Sequence, residues 1–126
     1  MKKTSFMVEN DILIAPELAF GLSAKIGQGG AVVVDGVKVI KAGTPLYASA
    51  DVKTNRATIL SATATGTCQG VARHNVYFAN NEAFINDTLL IAGYVDLDML
   101  DSNVAADITS DVKTALPQIQ FIKGDA

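Results

Sequence analysis

The sequence predicts a mainly β (α+β) domain, a small barrel or sandwich with one C-terminal amphipathic helix, preceded by an extended N-terminal arm. Three observations predict it. Two apolar runs, Val32 to Val34 and Val37 to Ile40, meet at the two-residue connection Asp35-Gly36, the strongest short-range signal for a β-hairpin. Further apolar runs of strand length then follow, separated by turn-forming residues. Near the end the apolar spacing changes once, to successive steps of four.

Met1 to Ser23 holds a single dense apolar cluster before Pro16, Ile12-Leu13-Ile14, and few turn signals to fold it back, so it reads as an arm over residues 1–23. Such an arm either lies along its own domain as a first strand or pairs with the sheet edge of another protein. Residues 24–126 form the single β-rich domain. Lys25 to Gly30 contains I-G-Q-G-G, which has the glycines of a phosphate-binding loop but lacks the Lys-Ser/Thr that follows them in a P-loop, and reads as a turn into the hairpin.

Asp and Gly tolerate the positive φ that a type I′ turn needs at both central positions. After the second hairpin strand, Ala42-Gly43-Thr44-Pro45 interrupts the extended chain before Leu46 and Tyr47 resume it. Strands are expected at Ala57 to Ser61, Thr67 to Ala72, Val76 to Phe78, Ala83 to Ile85 and Leu89 to Val95. Asn80-Asn81 and Asn86-Asp87 are read as the turns between them. Val104, Ile108, Val112 and Leu116 then form one apolar stripe, opposite Asp107, Ser110, Asp111 and Lys113, which predicts one helix over about 101–116. Asp101 or Ser102 caps its start, Pro117 stops it, and Ile119 with Phe121 makes a last strand.

Composition narrows the functional classes. The 126 residues are 49% hydrophobic but 6% aromatic, which excludes disorder throughout. Net charge is −3 and the ten basic residues are scattered, which argues against a nucleic-acid partner. Cys68 is the only cysteine, so no intramolecular disulfide forms and folding in the cytoplasm is the default expectation. Asn10, Asp11, Pro16 and Glu17 break any signal-peptide apolar core, and no apolar run is long enough for a membrane partner.

The series V-D-G-V-K-V-I-K-A-G-T-P-L, G-V-A-R-H-N-V, L-L-I-A-G-Y-V-D-L-D and V-A-A-D-I-T-S-D-V-K-T-A-L-P-Q-I-Q-F-I resembles head decoration and minor head structural proteins of tailed bacteriophages, from about Gly36 to Ile122. The resemblance implies a non-enzymatic, capsid-stabilising virion protein with a compact β-tulip-like domain. It also implies a homotrimer on the capsid exterior whose N-terminal arm clamps adjacent copies of the major capsid protein. A clamp of this kind needs extended backbone and apolar anchors, and Met7, Val8, Ile12, Leu13 and Ile14 are the candidate capsid-binding residues.

Competing chemistry is thin. Cys68 and His74, the single Cys and single His, are the best pair for nucleophilic catalysis, with Asp87 or Asp96 as an orienting carboxylate. A Cys in T-C-Q-G-V is more often a small buried hydrophobe, and a His between Arg73 and Asn75 a loop residue. Asp96, Asp98 and Asp101 lack the glycine and terminal Glu of a calcium loop, so they are read as starting the helix, and no metal or cofactor is expected. The polar loops Asp51 to Arg56 and Asn80 to Asn86 keep open the alternative of a head-fibre base or a module binding a host-surface glycan.

Overall fold

The computed structural model describes residues 12–123. In chain order its strands are β1 (Leu13–Ile14), β2 (Phe20–Gly27), β3 (Val32–Val34), β4 (Val37–Ile40), β5 (Pro45–Ala48), β6 (Ile59–Leu60), β7 (Thr67–Ala72), β8 (Val76–Phe78), β9 (Phe84–Asp96) and β10 (Ile119–Ile122). Two short helices, α1 (Ser102–Ala106) and α2 (Ser110–Ala115), lie between β9 and β10, and 3₁₀ turns occupy Pro16–Leu18 and Leu97–Met99. The fold is β-rich, with two sheets.

The larger sheet is built on β9, which pairs with β2 along one edge and β7 along the other, giving the order β5-β7-β9-β2-β6. Tyr47 on β5 and Ser61 just after β6 exchange both main-chain hydrogen bonds, which joins the two ends of that order into a closed barrel. Each of the five strands sends one fully buried side chain inward: Ile26, Leu46, Leu60, Ala72 and Leu89 are all 0% exposed. Ile40 from β4 and Val76 and Phe78 from β8 pack into the same cluster, so the smaller sheet, β3-β4-β8, covers the barrel core.

A second core lies on the barrel's outer side. Strand alternation sends Leu89 and Ala72 inward, and their neighbours Leu90 and Val71 to a cluster with Leu100, Val104, Ile108, Val112 and Leu116. Burying each of these side chains contributes roughly 1.5–3 kcal/mol. β10 then runs parallel to β9, a pairing that requires a long crossover, and the helical segment supplies it.

The hairpin matches its turn chemistry. Asp35 has φ 52° and Gly36 φ 82°, and Val34 pairs with Val37 across them. At the A-G-T-P loop, Gly43 has φ 90°, and a Cβ there would overlap the δ-methyl of Leu100. Its N–H donates to Ala72 O, and Ala72 N–H donates back to Thr44 O at 3.0 Å, so this loop ties β7 to the start of β5.

Four expectations are corrected. The boundary at residue 23 falls inside β2, because Phe20 to Gly27 pair along β9 from Ala92 to Phe84. Asn86-Asp87 is not a turn: both residues lie within β9, paired with Lys25 and Ala24, and this cross-strand pairing overrides their turn preference. The strand expected over Ala57 to Ser61 shortens to Ile59–Leu60. The single helix is two, because the chain leaves helical hydrogen bonding after Asp107 and Thr109 caps a new start.

Candidate docking face

The C-terminal half of β9 is flanked by β1 and β10, and alternation divides this three-stranded region into an inner and an outer surface. Val95 and its partner Leu13 point into the helical core, whereas Tyr94 and its partner Ile14 point out. Continuing outward, Phe20 pairs with Ala92, and Ile122 pairs with Asp96. The 3₁₀ turn at Pro16–Leu18, entered through Ala15 at φ 55°, lies against β9 and leaves Leu18 exposed. Phe20 is 57% exposed, and Ile14, Tyr94 and Ile122 are also exposed. The result is a sheet face carrying two aromatic rings and two aliphatic side chains, with Leu18 exposed on the adjoining turn.

Its rim is polar. Asp96 accepts a hydrogen bond from Asp98 N at 3.0 Å, capping the Leu97–Met99 turn, and Lys123 pairs with Asp98 at 3.2 Å. An apolar centre inside a charged margin is the composition of a protein-binding surface.

The candidate anchors separate on this geometry. Met7 and Val8 lie outside the described residues. Ile12 and Leu13 are 2% and 4% exposed, packed in the helical core, so their side chains hold this domain together. Ile14, at 38% exposure, lies on the outer face. Sequence reasoning missed Leu18, Phe20, Tyr94 and Ile122. A signal existed for two of them, since Leu18 and Phe20 alternate with Glu17 and Ala19 in the segment read as an arm.

Cys68 and His74 do not come together by any hydrogen bond among the described residues. The Cys68 thiol is buried and donates to Gly70 O at 3.7 Å, and burial pushes its pKa up, the reverse of what an activated nucleophile needs. His74 Nδ1, in the exposed connection between β7 and β8, lies 3.0 Å from Asp87 Oδ1 on β9. Asp101 caps α1 through Asn103 N at 3.1 Å, as a helix-starting aspartate should. Among the described residues no three His, Cys, Asp or Glu side chains gather to hold a metal, and no helix is long and apolar enough to cross a membrane.

The two polar loops use much of their hydrogen-bonding capacity internally. Asp51 Oδ1 accepts from Lys53 N at 2.9 Å, and Gln69 Oε1 accepts from Val52 N at 2.8 Å. Glu82 Oε1 accepts from Asn80 N at 2.9 Å, and Gln28 Nε2 donates to Asn81 Oδ1 at 3.0 Å. No family model, no curated protein and no solved structure matches this chain.

Proposed function

We propose that this protein is a structural virion protein that binds the outer surface of a tailed-phage capsid and stabilises the expanded head by bridging major capsid subunits. The observation that carries the reading is the outer face of β1, β9, β10 and the start of β2, where Ile14, Phe20, Tyr94 and Ile122 leave apolar side chains exposed. The resemblance of residues 36–122 to head decoration proteins supplies the kind of partner.

In this reading the barrel and its helices are a rigid body, β-tulip-like in arrangement, and the protein acts as a homotrimer on the capsid. Attachment is mechanical and needs no catalytic group. Phe20 and Tyr94 are suited to act as anchors because aromatic side chains bury large area with few rotatable bonds. Each contact is weak alone, but the second and third copies of a trimer bind at high effective concentration once the first engages.

The test is to mix the purified protein with expanded, undecorated capsids and measure bound copies per shell by sedimentation and gel densitometry. Saturation at a lattice-determined number, with shells that then survive harsher heating, is the expected result. Absence of binding rejects the reading and leaves a head-fibre base or glycan-binding module as the next reading to test.

A further inference from the structure

A second surface, away from the docking face, has a different chemistry. A cleft of about 720 Å³, lined in part by Tyr47, opens between the β3–β4 hairpin and the helical segment. One wall is apolar: Val32 and Val34 on β3 share a face with Val39 on β4. The opposite wall carries Asp101, Asp107 and Asp111. Asp101 is neutralised by Lys41 at 3.2 Å, whereas among the described residues no cation pairs with Asp107 or Asp111. Burial, together with the charges of Cys68, Asp107 and Asp111, raises the pKa of Tyr47, in keeping with a negative potential beside it.

β3 is also an edge strand among the described residues, terminal in the order β3-β4-β8. Because Val34 and Val37 flank a two-residue turn they form a hydrogen-bonded pair, and alternation makes Val33 and Lys38 a non-bonded one. The Val33 N–H and C=O therefore point away from β4 into solvent, and its side chain is 65% exposed. Lys38 does not neutralise the cleft: it lies on the opposite face of the hairpin and donates to Gln28 Oε1 at 3.1 Å.

We infer that this edge and cleft together form a docking site for an extended peptide strand of a partner protein in which Lys or Arg alternates with apolar residues. The strand adds to β3 through the main chain of Val33. Its cleft-side residues run their aliphatic stems along Val32 and Val34 and carry their charges to Asp107 and Asp111, the combination that long basic side chains are suited to make. Residues of the opposite parity lie beside Val33. The carboxylates make the site selective by sign, rejecting a strand of the same pattern bearing Glu. This inference does not depend on capsid binding, which the docking face would mediate.

The test uses the full chain and two capped peptides, Thr-Val-Lys-Val-Lys-Val-Thr and Thr-Val-Glu-Val-Glu-Val-Thr, followed by amide NMR and hydrogen exchange. The lysine peptide is expected to shift and protect the Val33 amide and to perturb Asp107 and Asp111, and the glutamate peptide to do neither. Replacing Asp107 and Asp111 together by Asn is expected to weaken the lysine peptide about fivefold at low salt, without loss of the native spectrum. Val33→Pro, which removes the outward-facing N–H, is expected to abolish the perturbation of Asp107 and Asp111 by the lysine peptide. Equal binding of both peptides, binding centred elsewhere, or no binding at all overturns the inference. So does Val33 protection that grows with protein concentration without peptide, because a second copy would then be the occupant.

Discussion

Tyr47 N–H donates to Ser61 O at 2.8 Å and Ser61 N–H returns a bond to Tyr47 O at 3.0 Å, and this single reciprocal pair closes the five-stranded barrel. Ser61→Pro removes one of the two bonds and places a ring at the seam, so it should destabilise the domain by about 3 kcal/mol in urea denaturation followed by circular dichroism. Ser61→Ala leaves the main-chain pair intact and should stay within about 0.5 kcal/mol of the parent. Equal effects of the two would mean that the seam contributes nothing.

Val112 belongs to the helical core and is 3% exposed. Val112→Asp places a carboxylate among Val71, Leu90 and Ile108 and should cost about 4 kcal/mol or more, a large part of a typical domain's stability. Val112→Ala creates only a small cavity and should cost about 2 kcal/mol. If the aspartate variant melts with the parent, the buried face of α2 has been assigned wrongly.

The Lys41–Asp101 pair gives a pH signature. The hydrogen bond from Lys41, and then that from Asn103 N, hold the Asp101 carboxyl below its ordinary value of 3.8. A carboxyl depressed in the folded state contributes stability that is fully present above the unfolded value and is lost as pH falls through the folded one. Asp101→Asn keeps the N-cap acceptor but removes the charge, since Asn caps as well as Asp. The stability difference between parent and variant should therefore shrink as pH falls below about 4 and vanish in strong acid. A difference that stays constant with pH would assign the effect to capping alone.

Cys68 gives the opposite sign at the alkaline end. Burial raises its pKa above the ordinary 9.0, so the unfolded state loses the proton first, and the stability held at neutral pH declines as pH rises through that range. The same burial should make the native thiol react with a disulfide reagent at least about a thousandfold more slowly than the denatured thiol. Cys68→Ala should flatten the alkaline decline. Fast modification of native protein would show that the thiol is reachable.

Local chemistry was legible where a residue's own geometry decides the outcome. Asp35-Gly36 specifies the hairpin because both positions need positive φ, and Thr67 to Ala72 and Val76 to Phe78 form the strands their composition predicts. The stripe of Val104, Ile108, Val112 and Leu116 is buried as its spacing requires, yet the spacing did not reveal the break. Thr109 supplies a cap to Val112 N at 3.4 Å, and Thr109-Ser110-Asp111 was a readable start signal that the unbroken stripe concealed. Phe20 to Gly27 was illegible for a different reason. Its strand character comes from pairing with β9, far away in sequence, and a strand of glycines and mixed polarity carries little alternation of its own. The docking face was half legible for the same reason: Ile14 is visible in an apolar cluster, but only the register with Tyr94 shows which of three adjacent apolar residues points outward.

That register makes the function testable by neighbouring residues. Leu13 faces the core and Ile14 the solvent, so Leu13→Ala should cost about 3 kcal/mol of stability, whereas Ile14→Ser should cost less than about 1 kcal/mol. If the outer face docks to the capsid, the ranking reverses for binding. Ile14→Ser, Phe20→Ser and Tyr94→Ser should each lower capsid occupancy at fixed concentration while leaving the melting transition nearly unchanged. Truncating a central aromatic at an interface typically costs about 2 kcal/mol, so a loss of roughly thirtyfold in affinity is expected for Phe20→Ser. Leu13→Ala protein, assayed well below its melting point, should still bind. Should Phe20→Ser and Tyr94→Ser decorate capsids as the parent does, this face is not the contact and the proposed mode of attachment fails, whatever the fate of the peptide cleft.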